Sequence, residues 1–485
     1  MEMKTLEPTI VWNYFYEITQ IPRPSKREDK VRTYLKEFGE KHNLTTQTDK
    51  AGNVLITKSA TPGYEKQKTI ILQAHMDMVC EKNSDVEHDF DKDPIQVVVD
   101  NGWVKAKGTT LGADNGIGMA MMLAILASDE LQHPAIECLF TTDEETGLTG
   151  AFALDDTLLK GEVLINLDSE DDAEIYVGCA GGIDTTATMK YKVKDTPDDF
   201  FAFSVIVKGL MGGHSGDDID KRRANANKLL NRILWNIHKE LNLHLVEIDG
   251  GNLRNAIPRE ASALACVPFV DKEKVRIIFN QIAAELEDEN IAVETKMRIE
   301  LHSEELPKHV MTRKSTAKLL NALYACPHGI IAMSPDIPGL VETSTNMASV
   351  KMKENKTVLI TTSQRSSVES AKYDVAHQVE SVLKLAGCKV THGDGYPGWK
   401  PNLNSQLLKV AEKSYQKLFD IKPKVKAIHA GLECGLFLKK YPHLDMISIG
   451  PTMRGVHSPD ERMEIETVGR VFDWLKDILK TKEIE

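Results

Sequence analysis

His75 and Asp77 stand two residues apart just past the short apolar run Thr69-Ile70-Ile71-Leu72. Asp143-Glu144-Glu145 follow Ile136 to Phe140, Asp168 follows Val163-Leu164-Ile165, and His457 lies beyond Met446-Ile447-Ser448-Ile449. A further acid, Asp114, sits between Leu111-Gly112-Ala113 and Asn115-Gly116, ahead of an apolar helix. Imidazoles and carboxylates in this mixture bind divalent cations, and the chemistry they suggest is that of a two-metal hydrolase. His75 can ligate through one ring nitrogen while Asp77 orients the imidazole. Asp114 is suited to bridge two cations. Two adjacent glutamates allow a division of labour, one on the metal and the other free as general base for a water. Each motif alone is ambiguous. His-x-Asp surrounds many structural histidines, Asp114 would serve as a helix N-cap, and adjacent acids usually mark a solvated loop.

What joins them is the kind of element that precedes each. Runs of four to six apolar and β-branched residues read as buried strands of a parallel sheet. In open α/β sheets, ligands bind beyond the carboxyl ends of the strands. The candidates therefore meet on one rim. Up to about Gly182, amphipathic helices (Ile10 to Thr19, Arg27 to His42, Asn115 to Ser128) alternate with strands, the pattern of a doubly wound α/β sheet. The segment Tyr176 to Gly182 is rich in glycine and could act as a hinge.

The middle of the chain has another rhythm. Strands are expected at Phe203 to Lys208, near 244–248 and 261–268, at Val293 to Leu301, and near 341–352 and 357–363. Helices are expected at Arg222 to Leu241, Lys272 to Glu287, Thr312 to Ala325 and Val368 to Leu385. This is an α+β unit, in one piece or as two stacked halves, with no sequence repeat that would establish duplication. The end returns to the first pattern, with helices Ser405 to Phe419 and Val468 to Leu479. The expected fold is thus an α/β catalytic domain in two parts, 1–182 and 395–485, with an α+β lid domain, 183–394, inserted.

Composition narrows the class. At 485 residues the chain exceeds one core, and 41% hydrophobic with 27% charged residues is ordinary for a globular protein. A formal charge of −12 speaks against a nucleic-acid surface. The longest apolar run, Ile117 to Ala127, is too short for a membrane span and reads as a buried helix. The opening residues lack the apolar stretch of a signal peptide. The seven cysteines show no CxxC pair, so reduced thiols and a cytoplasmic location are expected. Cys434 stands in a polar stretch, where a small buried residue is the simpler reading.

The middle unit offers Gly209 to Asp217 around His214. Flanking glycines permit close backbone approach to a ligand, and the imidazole could donate to a carbonyl oxygen as charge develops. Asn255 and Arg365 also leave strands and could hold a substrate carboxylate, for which a guanidinium fork is suited. Loop structure alone would explain all three equally well.

Taken as a set, Leu72 to Val79, Lys107 to Gly116 and Gly212 to Gly216 resemble the co-catalytic di-zinc aminopeptidase, aminoacylase and dipeptidase clan. His429 to Gly435, Gly455 to Asp460 and Asn255 to Arg259 narrow the likeness to the bacterial aminoacyl-histidine (Xaa-His) dipeptidases, or peptidase D family. The resemblance runs nearly end to end, with no departure at a metal or base position. It implies two zinc ions, or manganese or cobalt in their place. It places His75, Asp114 and Asp168 on one ion and Asp114, Glu145 and His457 on the other. It makes Asp77 the orienter of His75, Glu144 the general base, and His214, Asn255 and Arg365 substrate-facing residues. Glu433, in the loop His429 to Gly435, becomes a candidate for the substrate's free amine, with a structural role as its rival. The implied substrates are unblocked Xaa-His dipeptides, including β-alanyl-histidine. An aminoacylase, a broader di- or tripeptidase and a metal-dependent peptide-binding protein remain as alternatives, although a binder would not need Glu144. No nucleic-acid or membrane partner is expected, and a homodimer is compatible with the pattern.

Overall fold

The computed structural model describes residues 3–484. Its chain forms two compact units. One comprises Met1–Gly178, Trp399–Ala427 and Leu432–Glu485; the other comprises Cys179–Gly398 and Ile428–Gly431.

The first unit is built on an eight-stranded sheet. Its order is Thr45–Thr48, Val54–Lys58, Ile136–Thr141, Ile70–His75, Val163–Asn166, Asp445–Ser448, Glu174–Cys179 and Lys424–Ile428. The four strands anticipated from their apolar runs are adjacent, parallel and buried along their length, apart from Asp445 at the start of the last. Thr45–Thr48 with Val54–Lys58, Val54–Lys58 with Ile136–Thr141, and Asp445–Ser448 with Glu174–Cys179 pair antiparallel, so the sheet is mixed rather than wholly parallel. Register aligns the strand ends: His75 pairs with Thr141, Gln73 with Asn166, and Ser448 with Asn166. Because parallel neighbours end together, the residues that follow them share one rim.

The helix Ala113–Ala127 is buried on almost every side, as the absence of polar residues beyond Asn115 requires. Asp114 and Asn115 depart from helical geometry at its start, and the peptide between them is cis. Gly118 lets this helix approach the sheet closely; a Cβ there would lie 2.8 Å from the Leu167 carbonyl oxygen. Trp12, Phe15, Tyr415, Phe437 and Trp474 fill the rest of this core. A small four-stranded sheet joins Met453–Arg454, Arg462–Glu464, Trp103–Ala106 and Val97–Asp100.

The second unit contains one continuous nine-stranded antiparallel sheet with four helices of eleven residues or more, Ala226–Glu240, Lys272–Asn290, Arg313–Ala325 and Glu369–Leu385. There are no two separately stacked halves. Several segments differ from expectation. The expected strand from Val293 begins only at Arg298 and runs to Glu304, and the helix expected from Arg222 starts at Ala226. The strands Gly181–Lys190, Gly329–Met333 and Lys389–His392 were not anticipated. None of the seven cysteines forms a disulfide; six are buried, Cys434 among them, and Cys80 is partly so. Among the described residues, no helix is long and apolar enough to cross a membrane.

Candidate active site

His75 is the last residue of its strand, and its side chain is 1% exposed. Its Nε2 lies 2.9 Å from Asp114 Oδ1 and 3.4 Å from Asp168 Oδ1, and its Nδ1 lies 3.3 Å from Asp77 Oδ1. The other oxygen of Asp114 faces the second histidine, with His457 Nε2 at 3.2 Å. His457 Nε2 is also 3.0 Å from Glu145 Oε2. Asp114 thus stands between two imidazoles, each with a further acid beside it. His457 reaches this place from a backbone at φ +63°, in the loop between two short strands.

Asp77 holds the turn that carries the two glutamates. Its Oδ1 accepts the Glu144 N–H at 3.0 Å, and its Oδ2 accepts the Glu145 N–H at 3.2 Å and the Ser25 hydroxyl at 2.8 Å. Burial works to raise its carboxyl, but the His75 imidazole and these donors hold it down at about 2. It is therefore charged and committed. Among the described residues, the ion pairs of the two histidines go to Asp77, Asp114, Asp168 and Glu145, and not to Glu144. Burial, reinforced by Asp168, Glu433 and Glu145 against the opposing pull of His75, holds the Glu144 carboxyl well above the usual range.

The donor set fits divalent cations. Atoms of His75, Asp114 and Glu145 all lie within 4.8 Å of one another. Glu145 Oε1 is buried with no hydrogen-bond partner. Burial and the neighbouring acids Asp114 and Glu145 push Asp168 up to about 6 despite His75. His457 is pushed up to about 11 by Asp114 and Glu145. The crowding of Asp114, Glu145 and Asp168 around two imidazoles favours positive charge, which bound cations would supply.

Below the rim runs a row of buried polar side chains in register. Asn166 donates to Gln73 Oε1, and Gln73 donates to Thr141 Oγ1 at 3.1 Å and to Glu433 Oε2 at 2.7 Å. Thr141 also donates to Glu433 Oε2 at 2.8 Å. Glu433 opens the helix Glu433–Lys440 and is fully enclosed, so one oxygen ties together two strand ends; the other is buried without a partner. Burial pushes its carboxyl up to about 8.

The remaining candidates belong to the second unit. His214 lies on the two-residue strand Gly213–His214, paired with Ala256–Ile257 next to the exposed Asn255. His214 Nδ1 is 3.1 Å from Asp217 Oδ2, and its Nε2 is 3.4 Å from Arg365 Nη2. Arg365 is buried, donates to the Tyr396 hydroxyl at 2.8 Å, and has its Nε enclosed without a partner. His214 and Arg365 are therefore brought together although 151 positions separate them.

Sequence reasoning passed over Arg23, Ser25, Asn115 and Glu461. Asn115 donates to Asp168 Oδ1. Glu461 was within reach, since it ends the motif His457-Ser458-Pro459-Asp460-Glu461.

The model of peptidase family M20/M25/M40 matches residues 71–481. The chain is 44% identical over 479 residues to the cytosol non-specific dipeptidase of Escherichia coli (strain K12), covering 99% of both chains. It is similar to the crystal structure of aminoacylhistidine dipeptidase from Vibrio alginolyticus, with a TM-score of 0.93 and 43% identity, covering 99% of this chain and 98% of that one. A tripeptidase from Staphylococcus aureus shares the fold at 17% identity and a TM-score of 0.57. The chain belongs to peptidase family M20/M25/M40 and is a hydrolase acting on peptide bonds.

Proposed function

We propose that the protein is a cytoplasmic, zinc-dependent dipeptidase that cleaves unblocked dipeptides, Xaa-His and β-alanyl-histidine among them. The observation that carries this reading is the single carboxylate of Asp114 shared by two histidines, with Glu144 alongside but outside their ion pairs. His75, Asp114 and Asp168 would hold one ion, and Asp114, Glu145 and His457 the other. When bound, such a pair of ions supplies the charge that polarises a scissile carbonyl and lowers the pKa of a water toward about 7. Glu144 takes the proton of the attacking water and passes it to the leaving amine. Its raised affinity for a proton suits both transfers. Asp77 keeps Glu144 and Glu145 in place through their N–H groups.

His214 is assigned to the developing oxyanion, and Arg365 and Asn255 to the substrate's carboxylate. The enclosed Nε of Arg365 is a donor still to be satisfied. For Glu433, support of the Gln73 and Thr141 strand ends is the better-founded role; its unpartnered Oε1 is all that is left for a substrate's ammonium.

His214→Ala should lower kcat by about 10²–10³-fold, as removal of one oxyanion donor does, while metal content stays that of wild type. Steady-state kinetics with elemental analysis tests it; lost metal or unchanged kcat would count against the assignment.

The deciding experiment compares Xaa-His dipeptides, β-alanyl-histidine, other dipeptides, their amides and N-acetyl forms, and tripeptides, each with and without chelator. Free dipeptides should be cleaved, and chelator should abolish the activity until zinc is restored. A blocked end leaves buried charged partners unpaired, so kcat/KM should fall by at least about 10²-fold. Equal rates on N-acetyl amino acids would favour an aminoacylase. The relatives' names diverge on breadth, one being called non-specific and the other aminoacylhistidine dipeptidase. The ratio of Xaa-His to other dipeptides decides it.

A further inference from the structure

Four successive backbone N–H groups, from Leu111 to Asp114, point at one buried carboxylate. Glu461 Oε2 accepts from Leu111 at 2.7 Å and Gly112 at 3.0 Å, and Oε1 accepts from Ala113 at 2.8 Å and Asp114 at 3.4 Å. Arg23, also buried, takes the carbonyls. Its Nη2 donates to Gly112 O, and its Nη1 donates to Asp77 O and, at 2.9 Å, to Met76 O. Gly112 has φ +67°, and a Cβ there would meet Arg23 Nη2 at 2.6 Å and Met78 Sδ at 2.8 Å. No other residue fits this backbone and this close approach together.

Two buried charges are costly, and both resist the interior: burial raises the Glu461 carboxyl and lowers the Arg23 guanidinium. Filling space would not require them. What they hold is specific. Arg23 fixes carbonyls of the segment between His75 and Asp77. Glu461 lies four residues after His457, in a loop braced by the Glu461 N–H on Ser458 O at 3.0 Å and the Ser458 hydroxyl on Gly455 O at 2.6 Å. One carboxylate therefore fastens the loop carrying His457 to the loop carrying Asp114.

We propose that Glu461 is a positioning residue for the cation site: it sets the backbone of Asp114 so that one oxygen faces His75 while the other faces His457. Arg23 is its opposing brace. The inference rests on the reading of Asp114 and His457 as metal ligands.

The test is zinc binding to the full-length protein by chelator competition, with hydrogen exchange at residues 111–114. Glu461→Gln keeps the size but turns one acceptor oxygen into an NH2 that faces N–H donors. It should weaken binding at both sites at least about tenfold and speed exchange at those amides. Leu475→Ala, a core deletion in the helix Ile465–Lys480, serves as a destabilised control and should keep wild-type zinc affinity well below its Tm. If Glu461→Gln does not fold, Glu461→Asp, which keeps the charge but draws it back by one methylene, should show the same weakening. Wild-type affinity in the Glu461 variant, or a loss no greater than in the control, overturns the proposal. Failure of the wild type itself to bind two ions would instead overturn the ligand reading.

Discussion

Glu144→Gln should retain both metal ions and bind dipeptide normally, yet lose most of its turnover. The amide has nearly the shape of the carboxyl, and the Glu144 N–H that reaches Asp77 belongs to the backbone, so the turn is undisturbed. What disappears is a group able to accept a proton. General-base contributions run to about 10²–10⁴-fold, and loss of a base acting on an activated water falls at the upper end or beyond it. The fall should appear in kcat with KM little changed, since binding of the ground state is untouched. Glu145→Gln, one residue along, should behave differently. Glu145 faces His457 at 3.0 Å, so its amide should lower the affinity of one ion and be partly rescued by excess zinc. Near wild-type turnover in Glu144→Gln, or metal loss in it, would remove Glu144 from the role of base.

The rim was legible because each ligand follows a strand whose apolar run is unmistakable, and parallel neighbours end in register. His75, Asp168 and the Asp143–Glu145 turn could be set side by side on that ground alone. Less visible was the row of Thr141, Gln73, Asn166 and Ser448 beneath them. These polar residues interrupt otherwise apolar runs, and only the register shows that they meet and bond. Which of the two roles offered for Glu433 it plays could not be read from the polar stretch around it, because its partners Gln73 and Thr141 lie far away in sequence. The strands Val54–Lys58 and Glu174–Cys179 and the small sheet around Arg462–Glu464 gave weak signals, being short and amid polar residues. Arg23 was hidden because its partners are backbone carbonyl groups, which carry no mark in a sequence; Glu461 stood within the His457 motif, but its partners, backbone N–H groups, did not show there. The proximity of His214 to Arg365 depends on tertiary pairing that local pattern does not encode.

Asp114→Ala should empty both metal positions at once, which no other single ligand change is expected to do. Asp114 alone offers an oxygen to each histidine, at 2.9 Å to His75 and 3.2 Å to His457. Without it, each position keeps only one imidazole and one carboxylate, too few donors to hold a divalent ion tightly against water. Asp168→Asn, by contrast, should deplete only the position beside His75, because Asp168 lies near His75 and bonds Asn115. The alanine variant should still fold. It removes one charge from a crowded set of acids, and the Asp114 backbone N–H that Glu461 holds is unaffected. Loss of the ions forfeits several kcal/mol of transition-state stabilisation, and at about 1.4 kcal/mol per tenfold the rate should drop by at least about 10³-fold. Elemental analysis of folded wild type, Asp114→Ala and Asp168→Asn should read two, none and one ion per chain. One ion retained in Asp114→Ala would show that the two positions do not share this carboxylate.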